Sequence, residues 1–258
     1  MFPPSTVTDP ELVRDLQERA ARGQPATLVE DARGWWLRLA PGGAWWVGSV
    51  LPHRPARGAD LAQRVAAAEE FYRAHGAPPA FQISPPACPD GLDELLAARG
   101  YRRECPVSLQ VARTVEVLDR LAPGALRVEL DDRPSRPWLD TWLAVHAAGG
   151  DPGGERELLD RVALPSGYAR ALVGDDVVAA GRAVADAGWA GVFGMVTLPG
   201  ARGRGAARAV LAALAEWAAA HHADHVYLQV ERGNVAARRL YGRAGFTELC
   251  GYHYRIAG

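Results

Sequence analysis

Apolar positions fall at helical spacing from the start of the chain. Over residues 9–22, Leu12, Val13 and Leu16 form one stripe behind Asp9 as a cap and Pro10 in the first turn, which predicts a helix. Two β-rich runs, 35–39 and 44–48, flank Pro41-Gly42-Gly43 and predict a hairpin. A second helix is expected over 61–75, with Leu61, Val65, Ala68 and Tyr72 on one face, then a strand over 80–84. Residues 92–99 predict a short helix stopped by Gly100, and 101–111 reads as extended. Residues 114–124 read as a connecting segment broken near Ala122-Pro123-Gly124.

The second half begins with a short strand over 127–130 and a helix over 137–147 carrying Trp138 and Trp142. A Gly-rich turn over 149–154 leads into a helix over 155–162. Strands over 168–173 and 177–185 pair as a hairpin across Gly174-Asp175-Asp176, and 189–198 is a long apolar strand. An Ala/Leu-rich helix over 205–220 follows, then a strand over 225–230, a helix over 235–241 and an extended stretch over 246–256. This alternation predicts an α/β fold with a mixed sheet and helices on both faces. The run 92–101, a helix closed by Gly100 before Tyr101, echoes 236–246, where Gly245 precedes Phe246; it suggests an internal duplication.

Composition narrows the function classes. The 258 residues are 48% hydrophobic and 23% charged, with a net charge of −1. Nothing in that balance favours nucleic acid or an anionic membrane as partner. All 29 basic residues are arginine, so chemistry through a lysine Schiff base, a lysine base or a phosphate-gripping lysine is excluded. Cys88, Cys105 and Cys250 are isolated and odd in number, which fits small buried hydrophobes better than a disulfide framework or zinc site. Residues 1–10 show no basic segment followed by an apolar run, and no apolar stretch is long enough to span a bilayer. A soluble, cytoplasmic protein without a resident metal is expected.

The candidate chemistry lies after the 189–198 strand. There Arg202-Gly203-Arg204-Gly205-Ala206-Ala207 opens a helix. Backbone N–H groups at a helix start converge on one spot, and the helix dipole favours an anion there. Gly203 and Gly205 remove side chains that would block approach, Ala206 and Ala207 keep the helix start slim, and Arg202 and Arg204 can add charged contacts. A plain Gly-rich βα turn with two solvated arginines would look the same. The ATP-binding loop is absent because its lysine is absent, and Arg208 stands where the dinucleotide-binding pattern needs its third glycine.

With these residues in place, the sequence resembles the GNAT acyltransferase superfamily. Its [QR]xxGx[GA] signature is matched by Arg202 to Ala207, and Thr197-Leu198-Pro199 stands where that family's strand ends in VxP. Its second signature, an Asn starting a helix that ends in LY before GF, is matched by Asn234 through Leu240-Tyr241 to Gly245-Phe246. The resemblance implies two GNAT-like lobes, each a mixed, mostly antiparallel sheet flanked by helices. The first, 1–112, is degenerate; 113–126 links it to an acyl-CoA-binding domain over 127–258. It implies acetyl-CoA as co-substrate, with Met195, Val196 and Thr197 pairing through their backbone with the pantetheine arm. It further implies pyrophosphate held by Arg202, Gly203, Arg204, Gly205, Ala206 and Ala207, Asn234 at the pantetheine or ordering the helix start, and Tyr241 as general acid to the leaving thiolate.

The reaction implied is direct attack of a primary amine, of a small molecule or a peptide, on the thioester. The strand 189–196 lacks the glutamate that many relatives carry there as base. Glu231 is the nearest candidate in sequence, with His253 and His146 behind it; a solvated turn residue describes Glu231 equally well. His221, His222 and His225 sit at a helix end, where the dipole favours imidazolium, rather than as metal ligands. The tryptophan pairs 35/36 and 45/46 place one ring in and one ring out of a strand, as core and interface packing or as a ligand cleft. A different class is also consistent: a non-catalytic acyl-CoA-binding sensor or scaffold. A monomer or homodimer is expected.

Overall fold

The structure is a computed structural model that describes residues 8–42, 44–121, 126–146 and 152–258. The chain divides into two compact units. One comprises residues 1–108, 231–233 and 249–258; the other comprises 109–230 and 234–248.

In the first unit, α1 (Pro10–Gly23) starts at Asp9, whose side chain accepts the Glu11 N–H, and buries Val13, Leu16 and Ala20. Strands β1 (Leu28–Ala32) and β2 (Trp35–Leu39) pair antiparallel, from Leu28↔Leu39 to Ala32↔Trp35. Helix α2 (Gly58–Ala74), strand β3 (Ala80–Ile83), helix α3 (Leu92–Ala98) and residues 102–108 of β4 (Arg102–Arg113) follow. Trp35, Val65, Ala68, Tyr72, Phe81, Leu92 and Leu96 make this core.

The expected 35–39/44–48 hairpin is corrected here. The partner of β2 is β1, across Arg33-Gly34, both with positive φ (57° and 82°) as a two-residue hairpin turn requires. Residues 44–48 instead fold as turns, with Val47 N–H donating to Ala44 O and Gly48 N–H to Trp45 O. The buried Arg38 guanidinium holds them, donating to Trp46 O, Ser49 O and Ser49 Oγ. Gly43 lies outside the described residues.

In the second unit, residues 114–120, read from sequence as a connection, form helix α4 (Thr114–Arg120). Strand β5 (Arg127–Asp131) and helices α5 (Arg136–His146) and α6 (Pro152–Asp160) come next; residues 147–151, including the first half of the Gly-rich turn, lie outside the described residues, and its second half, 152–154, opens α6. Strands β6 (Ser166–Val173), β7 (Asp176–Asp186) and β8 (Trp189–Thr197) form an antiparallel meander with β5. A short 3-10 turn, Pro199–Ala201, leads to α7 (Ala206–Ala220), then β9 (His225–Glu231) and α8 (Val235–Arg243). The strand order is β9-β8-β7-β6-β5, a mixed sheet because β8 and β9 run parallel. Buried Ala206, Ala209, Ala212, Ala215 and Ala218 recur every third residue on α7, so the helix lies close to one sheet face. The last strand, β10 (Thr247–Ile256), returns to the first unit, pairing His253↔Ile83 through Ile256↔Ala80 with β3.

Among the described residues no helix is long and apolar enough to cross a membrane.

Candidate active site

Two irregularities in the second unit's sheet mark the candidate site. The first is where β8 and β9 part. They pair in parallel only from Trp189↔His225 to Val192↔Leu228, although β8 continues to Thr197 and β9 to Glu231. Beyond that point the edge of β8 facing β9 has backbone groups outside the ladder, in an opening at the carboxyl ends of two parallel strands. The second irregularity is a bulge. Ala180↔Val196 and Arg182↔Phe193 are two residues apart on β7 and three on β8, so β8 carries one extra residue there. A bulge turns its strand away from the regular ladder.

Gly194 occupies this bulge with φ of +60°, and a Cβ built on it would lie 2.8 Å from Trp142 Nε1. Gly194→Ala is expected to destabilise the fold by about 1–3 kcal/mol, combining left-handed backbone strain with a clash against a ring. Chemical denaturation measures it; a wild-type midpoint would mean that the bulge relaxes freely.

The loop after β8 opens α7. Arg202 Nε donates to Thr197 O at 3.4 Å, tying the loop to the end of β8, while Arg202 and Arg204 remain exposed. Gly205 is the helix cap in the left-handed region (φ 84°), with no side chain bonding the first turn. The first helical N–H groups of α7, starting at Ala206 and Ala207, therefore have no intrahelical acceptor and face the loop. Gly203 is also left-handed, at φ 76°. A Cβ on Gly205 would meet open space, so its role is conformational. Met195 and Thr197 are half-buried and Val196 is buried.

Asn234 caps α8: its side-chain oxygen accepts the Ala237 N–H at 3.1 Å, which leaves its amide NH₂ as donor. Tyr241, two turns on, is 6% exposed and meets Phe246 edge-on at 5.8 Å between ring centroids. Burial pushes its phenol up to about 12. Tyr241 belongs to the cluster containing Val192, Ala206, Val210 and Leu211, the core on the α7 side of the sheet.

The other face carries a polar centre that the sequence reading did not single out. A Cβ on Gly181 would run into Met195, Val210 and Leu214, so Gly181 faces α7 and Arg182, next along the strand, faces the opposite side. Arg182 is 3% exposed, and its guanidinium sits over the Phe193 ring at 4.8 Å, beside the point where β8 and β9 part. Burial pulls its pKa down, opposed by Tyr168, Tyr227 and Glu155. Glu155, half-buried on α6, has its carboxyl pushed above the usual range by burial, with Arg182 pulling it back. Trp138 Nε1 donates to Gly181 O at 2.9 Å and holds α5 over this face. The signal available in the sequence was an arginine inside the small apolar run Ala179-Ala180-Gly181-Arg182-Ala183, which demands a counter-group from another element.

The other candidates separate. Glu231 is exposed at the end of β9, and its residue groups with the first unit. His253 is 3% exposed and bonded to Asp93 at 2.8 Å, where Arg255 also binds, a structural network. The side chain of His146 lies outside the described residues. His221 bonds Trp217 O through Nδ1 at 2.9 Å, and His225 stacks on Trp189 at 4.7 Å.

Comparison with known proteins places this geometry. The Acetyltransferase (GNAT) family matches residues 127–246. An uncharacterized N-acetyltransferase of Bacillus subtilis (strain 168), YobR, is 27% identical over 246 residues, covering 95% of this chain and 98% of that protein. Among solved structures, a GCN5-related N-acetyltransferase from Kribbella flavida superposes with a TM-score of 0.71 at 16% identity, covering 98% of each chain. A tandem GNAT protein from the clavulanic acid biosynthesis pathway superposes at 0.66 with 15% identity, over 99% of this chain and 90% of that one. These two likenesses are of fold. The family match covers the opening between β8 and β9, the loop and the Asn234–Tyr241 helix, so residues 127–246 of this chain are similar to the Acetyltransferase (GNAT) family.

Proposed function

We propose that the chain transfers an acetyl group from acetyl-CoA to a primary amine of a small molecule or peptide by direct attack on the thioester. The observation that carries this reading is the wedge between β8 and β9, with an open helix N-terminus following it on the same strand. An extended amide-bearing arm fits the edge of β8 as an added strand would, through the backbone of Met195, Val196 and Thr197. A pyrophosphate fits the uncapped start of α7, where Arg202, Gly203, Arg204, Gly205, Ala206 and Ala207 offer N–H groups and two exposed cations. Asn234 keeps a free NH₂ for the same arm.

Acetyl-CoA supplies an acyl group already activated as a thioester. The rest falls to the chain's side chains, and the two sheet faces divide the work. Glu155, on the α5/α6 face, is suited to take the proton from the incoming ammonium, because a raised carboxyl is a stronger base than an ordinary one. Tyr241, on the α7 side, is suited to give a proton to the departing thiolate. The desolvation that raises its phenol raises a thiolate beside it as well, so the transfer stays near balance. A main-chain N–H on the free edge of β8 is placed to receive the charge developing on the carbonyl oxygen.

The test is thiol release from acetyl-CoA with a panel of primary amines, beside a thermal melt with acetyl-CoA alone. A raised midpoint and amine-dependent release are expected. No midpoint shift would overturn the reading of the loop. A shift without release for any amine would make the chain an acyl-CoA-binding sensor or scaffold instead.

A further inference from the structure

The first unit holds a cavity of about 530 Å³, within the range of small-molecule sites. Its lining comes from α1, β1, β2 and the segment after the Leu51 bridge. Arg14 and Glu18 lie one turn apart on α1 and are half-buried. Trp36 on β2 turns to this side while Trp35 is buried in the core, so one ring of the tryptophan pair lines a cleft. His53 and Arg54 follow a bridge in which Trp36 N–H donates to Leu51 O at 3.1 Å and Leu51 N–H to Trp36 O at 2.9 Å. Asp31 completes the set from the end of β1.

Burial orders these groups from floor to rim: His53 is 4% exposed, Arg14, Glu18 and Trp36 are half-buried, and Asp31 and Arg54 are exposed. Bonds to one another and to the backbone hold them, and Glu18 also feels the charge of Arg22 and Arg54. His53 Nδ1 lies 3.2 Å from Glu18 Oε1, Arg14 Nε donates to Ala87 O at 3.3 Å, and Asp31 accepts the Gly34 N–H. The Arg54 carbonyl accepts Trp35 Nε1 at 3.0 Å, which fixes the segment carrying both His53 and Arg54. Burial holds the imidazole below its usual pKa, and His53 holds the Glu18 carboxyl below its own. Near neutral pH the walls therefore carry two guanidiniums, two carboxylates and an uncharged ring.

That set sums to zero net charge, with both signs present on the half-buried wall (Arg14, Glu18) and at the rim (Arg54, Asp31). A simple anion placed there meets two carboxylates, and a simple cation meets two guanidiniums. A compact dipolar ion satisfies both, with its carboxylate on Arg14 and Arg54 and its ammonium on Glu18 and Asp31, and Trp36 offers an apolar or cation–π wall beside it. We infer that this cavity of the first unit is a binding site for a small zwitterion of the free α-amino-acid type.

The test is calorimetric titration of the full chain with the free L-amino acids. Parallel arms use their methyl esters, which lack the carboxylate, their N-acetyl forms, which lack the ammonium, and inorganic phosphate. At least one free amino acid is expected to bind, and each blocked form to bind about tenfold or more weakly, as loss of one charge-assisted contact implies. Arg54→Ala is expected to abolish the preference over the ester, and Trp36→Ala to weaken binding. Both variants should keep the midpoint shift with acetyl-CoA, which shows that they fold and locates the effect in the first unit. Absence of binding by any amino acid, equal binding of the blocked forms, binding of phosphate alone, or wild-type titrations for both variants would each overturn the proposal.

Discussion

Tyr241→Phe is expected to lower kcat by about a hundred- to ten-thousand-fold, the range of a lost proton donor, with the KM for acetyl-CoA nearly unchanged. The asymmetry follows from position. The ring is 6% exposed and packed edge-on against Phe246, and phenylalanine keeps that packing. Only the hydroxyl is lost, and its net worth to stability is about 1 kcal/mol. The thermal midpoint should therefore stay close to wild type, and so should the shift that acetyl-CoA produces. Because burial pushes the phenol up to about 12, the wild-type rate should show no decline from loss of this proton until strongly alkaline pH. The loss in the variant should also shrink with thioesters whose thiol is more acidic, since a better leaving group needs less help. A variant as active as wild type with all donors would remove Tyr241 from the mechanism.

The glycine loop that opens α7 was legible because its conformational demands are local. Two left-handed positions before a helix leave little choice but glycine, and Gly203 and Gly205 stand at that spacing. Asn234 was legible for the same reason, since a cap acts within three residues. The hairpin was misread for a local reason too. Pro41-Gly42-Gly43 carries strong turn chemistry, whereas the turn that forms places Arg33 at φ 57°, where asparagine or glycine is usual. What could not be read is tertiary. Alternation marks 247–256 as a strand but does not name β3 as its partner. The opening between β8 and β9 follows from where a ladder stops, which no residue type announces. Glu155 looks like any helix-surface glutamate until Arg182 and the burial around it are known.

Glu155→Gln separates a base from a structural residue because its two effects have opposite signs. The carboxyl is raised in the folded chain, chiefly by burial, so the native state binds its proton more tightly than the unfolded chain does. By linkage, ionisation of Glu155 then costs stability, and the cost is fully present above its folded pKa. Glutamine keeps the shape and removes the charge, so near neutral pH the thermal midpoint should hold or rise. Activity should fall by about a hundredfold or more, the usual worth of a positioned base. In wild type the rate should climb with pH through the raised carboxyl pKa. In the variant that limb should disappear, leaving a rise that follows the acceptor amine's own deprotonation at higher pH. Glu231→Gln is the companion measurement, because Glu231 is the base that chain order favours and lies exposed at the end of β9. If Glu231→Gln rather than Glu155→Gln removes the acidic limb, the proton leaves by the open end of the wedge. If Glu155→Gln lowers activity and midpoint together, the carboxylate serves as the counter-charge that keeps Arg182 buried, and the amine must arrive already neutral.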